Sequence, residues 1–145
     1  MKYIDLGLPS GTLWANRNVG ANKPSDYGDY FNFDDAQKQG TLPARWQMCE
    51  LVECCKHEVT EQGGVKGVEF TGKNGNSIFM PFAGILYSTD NNPDAVNKCG
   101  RWWSSVPYNK YAYSLYLSND DNVYPSYGAH QTTSFSVRLV KINEK

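Results

Sequence analysis

Two histidines, His57 and His130, and four cysteines, Cys49, Cys54, Cys55 and Cys99, are the side chains here with the clearest capacity for catalysis or metal binding. A zinc site needs paired ligands at short spacing, and no Cys-x-x-Cys pair exists to join either histidine. Three of the cysteines crowd one short segment and only Cys99 is remote, so at most one bridge, from Cys99 to a helix cysteine, is natural. His130 with Asp120 or Ser126 offers the residue types of a catalytic triad. A lone histidine in a stretch rich in tyrosine and asparagine reads instead as a contact residue, and no catalysis is expected. Asn92-Pro93-Asp94 and Asn119-Asp120-Asp121 echo the carboxylate and amide cluster of a calcium loop, although such turns also form for backbone reasons alone. No metal or cofactor is expected, and a calcium-dependent carbohydrate-binding lectin stands as a second alternative.

Recognition chemistry is better represented. Six of the ten tyrosines fall between Trp102 and Val140, glutamate is absent there, and Lys110 is the only lysine between Arg101 and Arg138. Tyrosine supplies large, rigid contact area at low entropic cost, and small polar residues supply adaptable hydrogen bonds, as in a paratope. The expected contact residues are Tyr108, Asn109, Tyr111, Ser114, Tyr116 and Asn119, continuing through Asp120, Asn122, Tyr124, Ser126, Tyr127, His130 and Thr132. Alternation puts Tyr113, Leu115, Leu117, Phe135 and Val137 in the core and leaves Tyr111, Tyr116, Tyr124 and Tyr127 to form one outward surface. The competing reading is a tyrosine-rich sheet face, because aromatic residues are good strand formers.

The elements that must carry these residues fit one domain spanning 1–145. A chain of 145 residues with 40% hydrophobic and 14% aromatic content can bury a real core. The net charge of −1, with both signs mixed along the chain, lacks the basic stripe that a phosphate backbone requires, so nucleic acid is not an expected partner. No apolar run approaches the roughly 20 residues of a membrane span, and residues 1–5 do not read as the start of a signal segment.

Tyr3 to Leu6 and Thr12 to Ala15 read as a strand pair around the turn Gly7-Leu8-Pro9-Ser10-Gly11. Pro24 to Tyr27 suggests one helical turn, and Asp34 to Gln39 a short helix capped by Asp34 and ended at Gly40. The main helix follows Pro43, with an expected inner stripe of Trp46, Cys49, Leu51, Val52 and Cys55. Asn74-Gly75 between Val65–Phe70 and Ser77–Phe82 is a hairpin signal. Three strands then close the chain, over 112–117, 122–127 and 134–140. Trp14, Trp46 and Trp103 are expected to be buried.

Tyr3-Ile4-Asp5-Leu6-Gly7-Leu8-Pro9-Ser10-Gly11-Thr12-Leu13-Trp14-Ala15, followed by Asn18-Val19-Gly20-Ala21 and Tyr27-Gly28-Asp29-Tyr30-Phe31, resembles the "major paralogous domain" family of gut-bacterial surface proteins. The resemblance continues through Gly64-Val65-Lys66-Gly67, Asn74-Gly75-Asn76-Ser77-Ile78-Phe79, Trp103-Ser104-Ser105 and Ser136-Val137-Arg138, covering nearly the whole chain. It implies an α+β, C-type lectin-like fold of the formylglycine-generating-enzyme branch, which the variable proteins of diversity-generating retroelements also use. In those proteins the diversified interval runs from a Trp-Ser-Ser-like start to a Phe-Ser-Val-Arg-like close, which here is about 102–140. Asn-encoding template codons readily yield the Asn, Tyr, Ser, Asp, His and Thr found there, whereas Lys110 and Gln131 fit less well. The enzymatic relatives depend on cysteines late in the domain, and here no cysteine follows Cys99. The chain also departs from the family in lacking a cysteine near Arg17, and at His57, Ser134 and Leu139.

The expected function is a ligand- or receptor-binding module with a protein or glycan ligand on a cell or phage surface and no membrane insertion. A non-binding structural or spacer domain of a larger surface protein is the alternative.

Overall fold

Short strands separated by glycine and asparagine turns dominate the chain, and in a computed structural model, which describes residues 2–142, they form three antiparallel three-stranded sheets with two short helices. This is a small single-domain α+β arrangement, mostly sheet. No helix among the described residues is long and apolar enough to cross a membrane.

The first sheet joins the two ends of the chain. β1 (Tyr3–Asp5) pairs with β2 (Thr12–Ala15), and β2 pairs with β9 (Val140–Ile142), so both ends of the chain lie in one sheet as expected, but β2 stands between them and the Tyr3 strand does not pair with the C-terminal one. The second sheet contains β3 (Lys56–Gln62), β4 (Val65–Thr71) and β5 (Ser77–Pro81) in that order. The Asn74-Gly75 hairpin forms, and Gly75 takes a φ of 87° that favours glycine. Its tip grips the first sheet: the Asn74 and Asn76 side-chain amides both donate to the Asp5 carbonyl. At Gly72 a Cβ would lie 1.9 Å from the Leu6 carbonyl oxygen, so only glycine permits this backbone approach.

β3 is an edge strand whose Lys56, His57, Glu58 and Glu61 are exposed, which blunts the edge against pairing with other chains. Its lack of apolar alternation is why it does not read as a strand in the sequence.

Both helices differ from expectation in detail. At Pro24 to Tyr27 the chain makes one hydrogen-bonded turn, with the Asp26 N–H donating to the Lys23 carbonyl at 3.1 Å, and no helix. α1 (Phe33–Gln37) is capped by Asn32, whose Oδ1 accepts from the Asp35 N–H at 2.9 Å, rather than by Asp34. α2 (Arg45–Cys54) starts after Pro43, with Gln47 Oε1 accepting from the Ala44 N–H at 2.7 Å. Its buried side is Gln47, Met48 and Leu51, running on to Cys55. The spacing of 48, 51 and 55 is helical, and it turns Trp46 outward to 54% exposure, correcting the expectation that Trp46 and Cys49 lie in the inner stripe.

The third sheet comprises β6 (Cys99–Tyr108), β7 (Tyr111–Ser118) and β8 (Val123–His130). A core lies on each of its faces. Trp102, Leu115 and Leu117 join Trp14, Met48, Leu51 and Phe70 on one side, and Cys99, Trp103 and Ala112 join Phe33, Phe135 and Val137 on the other. The segment 134–139 is not a third strand of this sheet. It runs between layers with every residue from Phe135 to Val140 buried, so the expected alternation with only Phe135, Val137 and Leu139 inward gives way to enclosure on both sides.

Candidate functional site

Strand β7 decides which tyrosines share a face. Successive side chains alternate, so Tyr111, Tyr113, Leu115 and Leu117 lie on the α2 side and Ala112, Ser114 and Tyr116 on the other. On β8, Tyr124 and Tyr127 are three residues apart, and a regular strand would send them to opposite faces. The register shows why they do not diverge: Ser114 pairs with Tyr127 and Tyr116 with Tyr124, so a bulge at Pro125 and Ser126 absorbs the extra residue. Proline, having no N–H, is tolerated at such a bulge.

The bulge therefore brings Tyr116, Tyr124 and Tyr127 together. Their ring centroids are 5.7, 5.6 and 5.5 Å apart in the three pairings, and the Tyr116 and Tyr124 rings stack at 16°. Tyr124 and Tyr127 are exposed, while Tyr116 is half-buried against the core that holds Trp103. Burial and the neighbouring Cys99 thiol push the Tyr116 hydroxyl pKa up.

Arg101 lies under this cluster. Its guanidinium carbon is 4.7 Å from the Tyr127 ring centroid, 4.6 Å from that of Phe135 and 5.8 Å from that of Tyr116. Nε and Nη2 donate to Ser114 Oγ at 3.1 and 2.9 Å, and Nη2 also donates to the carbonyls of Tyr127 and Gly128 at 3.3 and 3.1 Å. Ser114 is fully buried and donates to the Tyr127 carbonyl at 2.8 Å, which corrects its expected role as a surface contact. It holds Arg101 and the edge strand in place. Burial lowers the Arg101 pKa from its ordinary value, and the neighbouring Tyr127, Tyr87, Cys99 and Tyr116 offset only part of that.

Tyr111 belongs elsewhere. It meets His130 edge-on at 5.6 Å on the opposite face of the sheet, near the β6–β7 turn that Asn109 and Lys110 make. Tyr108 is 58% exposed and lies 6.2 Å from the Tyr113 ring. Tyr113, expected in the core, is only half-buried, with the Arg45 guanidinium stacked 3.7 Å over its ring. The single surface predicted for Tyr111, Tyr116, Tyr124 and Tyr127 thus divides into two patches, because Tyr111 shares the parity of Tyr113 and not of Tyr116.

The remaining predicted contacts fall around these patches. Asn119 and Asp120 are exposed in the β7–β8 turn, and Asn122 Oδ1 accepts weakly from the Tyr124 hydroxyl at 3.4 Å. Ser126 Oγ accepts from Arg45 Nε at 2.6 Å, and His130 Nδ1 lies 2.9 Å from Thr132 Oγ1. Ser126 and His130 are thus engaged separately and are not linked as nucleophile and base. No cluster of three or more His, Cys, Asp or Glu side chains suited to a metal occurs among the described residues. All four cysteines are free thiols, Cys55 and Cys99 buried and Cys49 and Cys54 half-buried.

Arg101 with the exposed Tyr87, and Arg45 over Tyr113, complete the two patches and were not among the predicted contacts. The signal available for Arg101 was its parity with Trp103 on β6, which puts it opposite Tyr116. Comparison with family models, with curated proteins and with solved structures finds no match.

Proposed function

We propose that this domain is a ligand-binding module whose contact surface is the face carrying Tyr116, Tyr124, Tyr127 and Arg101, on a C-type lectin-like fold of the kind diversity-generating retroelements diversify. The observation that carries this reading is the bulge at Pro125-Ser126, which spends regular pairing to put two exposed tyrosines beside a third on one face. Monomeric proteins seldom keep a large aromatic patch exposed without a use, and aromatic anchors dominate interface energetics. The meeting of the N-terminal strand pair and the last strand in one sheet supports the fold assignment, and the tyrosine, asparagine and serine content of residues 102–140 supports diversification. The ligand is a protein or glycan on a cell or phage surface.

The test is a selection from a random-sequence peptide display library on the immobilised protein. Peptides recovered on the wild type should lose at least about thirtyfold in affinity for the Tyr124→Ala/Tyr127→Ala double variant, the equivalent of about 2 kcal/mol for truncated aromatic anchors. Both rings are exposed, so the variant should fold normally. Equal binding to both proteins, or no recovered peptide, would return the domain to the spacer reading.

A further inference from the structure

Arg101 is only partly used by the protein. Nε and Nη2 make the contacts to Ser114 and to the β8 carbonyls, whereas Nη1 donates to no atom among the described residues and is not one of the buried polar atoms left without a partner. It therefore opens to solvent beside the rings. No ion pair to Arg101 forms among the described residues, and beside burial the neighbours that bear on its charge are Tyr127, Tyr87, Cys99 and Tyr116, none of them a carboxylate. A fixed guanidinium with a free N–H edge, walled by aromatic faces and lacking a carboxylate, is a receptor half waiting for an anion.

Resting on the binding reading above, we infer that this face receives an acidic polypeptide segment: a ligand Asp or Glu carboxylate takes Arg101 Nη1 while its neighbouring side chains pack on Tyr124 and Tyr127. A polypeptide is favoured over a sugar by the same inventory. Sugar hydroxyls are held by carboxylate and amide acceptors; Asp120 and Asn122 lie at the Tyr124 end in the β7–β8 turn and make no ion pair or hydrogen bond to Arg101, whose exposed neighbours are phenols. Tyrosine with arginine is the composition enriched at protein interfaces. β8 is also an edge strand of its sheet, flanking the cluster with exposed Tyr124, Tyr127 and Gly128. Arg101 is preorganised here, since Ser114 and two backbone carbonyls fix the fork before any ligand arrives.

The peptides recovered from the random library are the probe. They should be enriched in Asp or Glu, and replacing the shared acidic residue by Asn or Gln should weaken binding to the wild-type protein about tenfold or more. Arg101→Gln should weaken the acidic peptide by a similar factor and the neutral version by clearly less. Because Arg101 also braces β8, the peptide-side substitution on the unaltered protein keeps the test valid if that variant folds poorly. Peptides that depend on Tyr124 and Tyr127 but carry no acidic enrichment, or whose acidic residue is replaceable without loss, would overturn the carboxylate assignment and leave the binding face standing. Binding of uronate-bearing glycans in an array, with no acidic peptide recovered, would overturn the polypeptide assignment. Loss of tyrosine dependence altogether would remove both readings.

Discussion

Asn18 Oδ1 lies 2.9 Å from Arg138 Nε, and both residues are fully buried. The same oxygen accepts from Trp102 Nε1 at 2.9 Å, while Arg138 Nη1 and Nη2 donate to the carbonyls of Ala15 and Phe79 at 3.1 and 2.8 Å. Burial pulls the Arg138 pKa down to about 9, yet three oxygens solvate the charged form in place of water. One side-chain oxygen thus ties the buried guanidinium from the end of the chain to the tryptophan at the root of β6.

Asn18→Ala should be among the most destabilising single changes. It strands two buried donors, one of them charged, and should cost about 3–5 kcal/mol in denaturant unfolding. Asn18→Asp keeps the acceptor and adds a counter-charge, so it should cost clearly less.

Iodide quenching should separate the four tryptophans. Trp14, Trp102 and Trp103 are fully buried, so only Trp46 fluorescence should be quenched, and Trp46→Phe should abolish the quenchable component with little change in melting temperature. Trp103→Ala, by contrast, should cost about 3–5 kcal/mol as a buried aromatic truncation.

The thiols should react in two classes. Burial first, then Cys54 and Glu50, push the Cys55 pKa up to about 11, and burial raises Cys99 as well. An aromatic disulfide reagent at pH 8 should label Cys49 and Cys54 quickly and Cys55 and Cys99 only on unfolding. All four thiols being free, reductant should leave the melting temperature almost unchanged.

Alkali should weaken the fold through Tyr30. Its hydroxyl donates to the Ala83 carbonyl, and burial, with a smaller effect of Tyr27, pushes its pKa up to about 12. An acid raised in the folded state contributes stability that is full below the unfolded pKa near 10 and is lost as pH rises through 12. Tyr30→Phe should flatten the fall in stability across that window, measured by unfolding at successive pH values.

Much of this fold was legible locally. The Asn74-Gly75 turn set the β4–β5 hairpin, Pro43 announced α2, and the last strand joined the N-terminal pair by covering the open edge of β2. Trp46 misleads because a large aromatic at helical spacing reads as an anchor of the stripe that Met48, Leu51 and Cys55 actually form. The division of the tyrosines was half legible: β7 parity already separates Tyr111 from Tyr116, whereas the bulge that reunites Tyr124 with Tyr127 depends on strand register. The contact between Ser114 and Arg101 was beyond local reading, since it spans 13 residues of chain and the one from Arg101 to Gly128 spans 27.

Tyrosine-ring NMR of the protein, titrated with an acidic peptide recovered from the library, tests the binding face most directly. Saturable shifts confined to Tyr116, Tyr124 and Tyr127 and to the Arg101 Nε–H are expected, with Tyr3, Tyr30 and Tyr111 unmoved. Shifts centred on Tyr108 and Tyr111, or spread evenly over all ten rings, would contradict it.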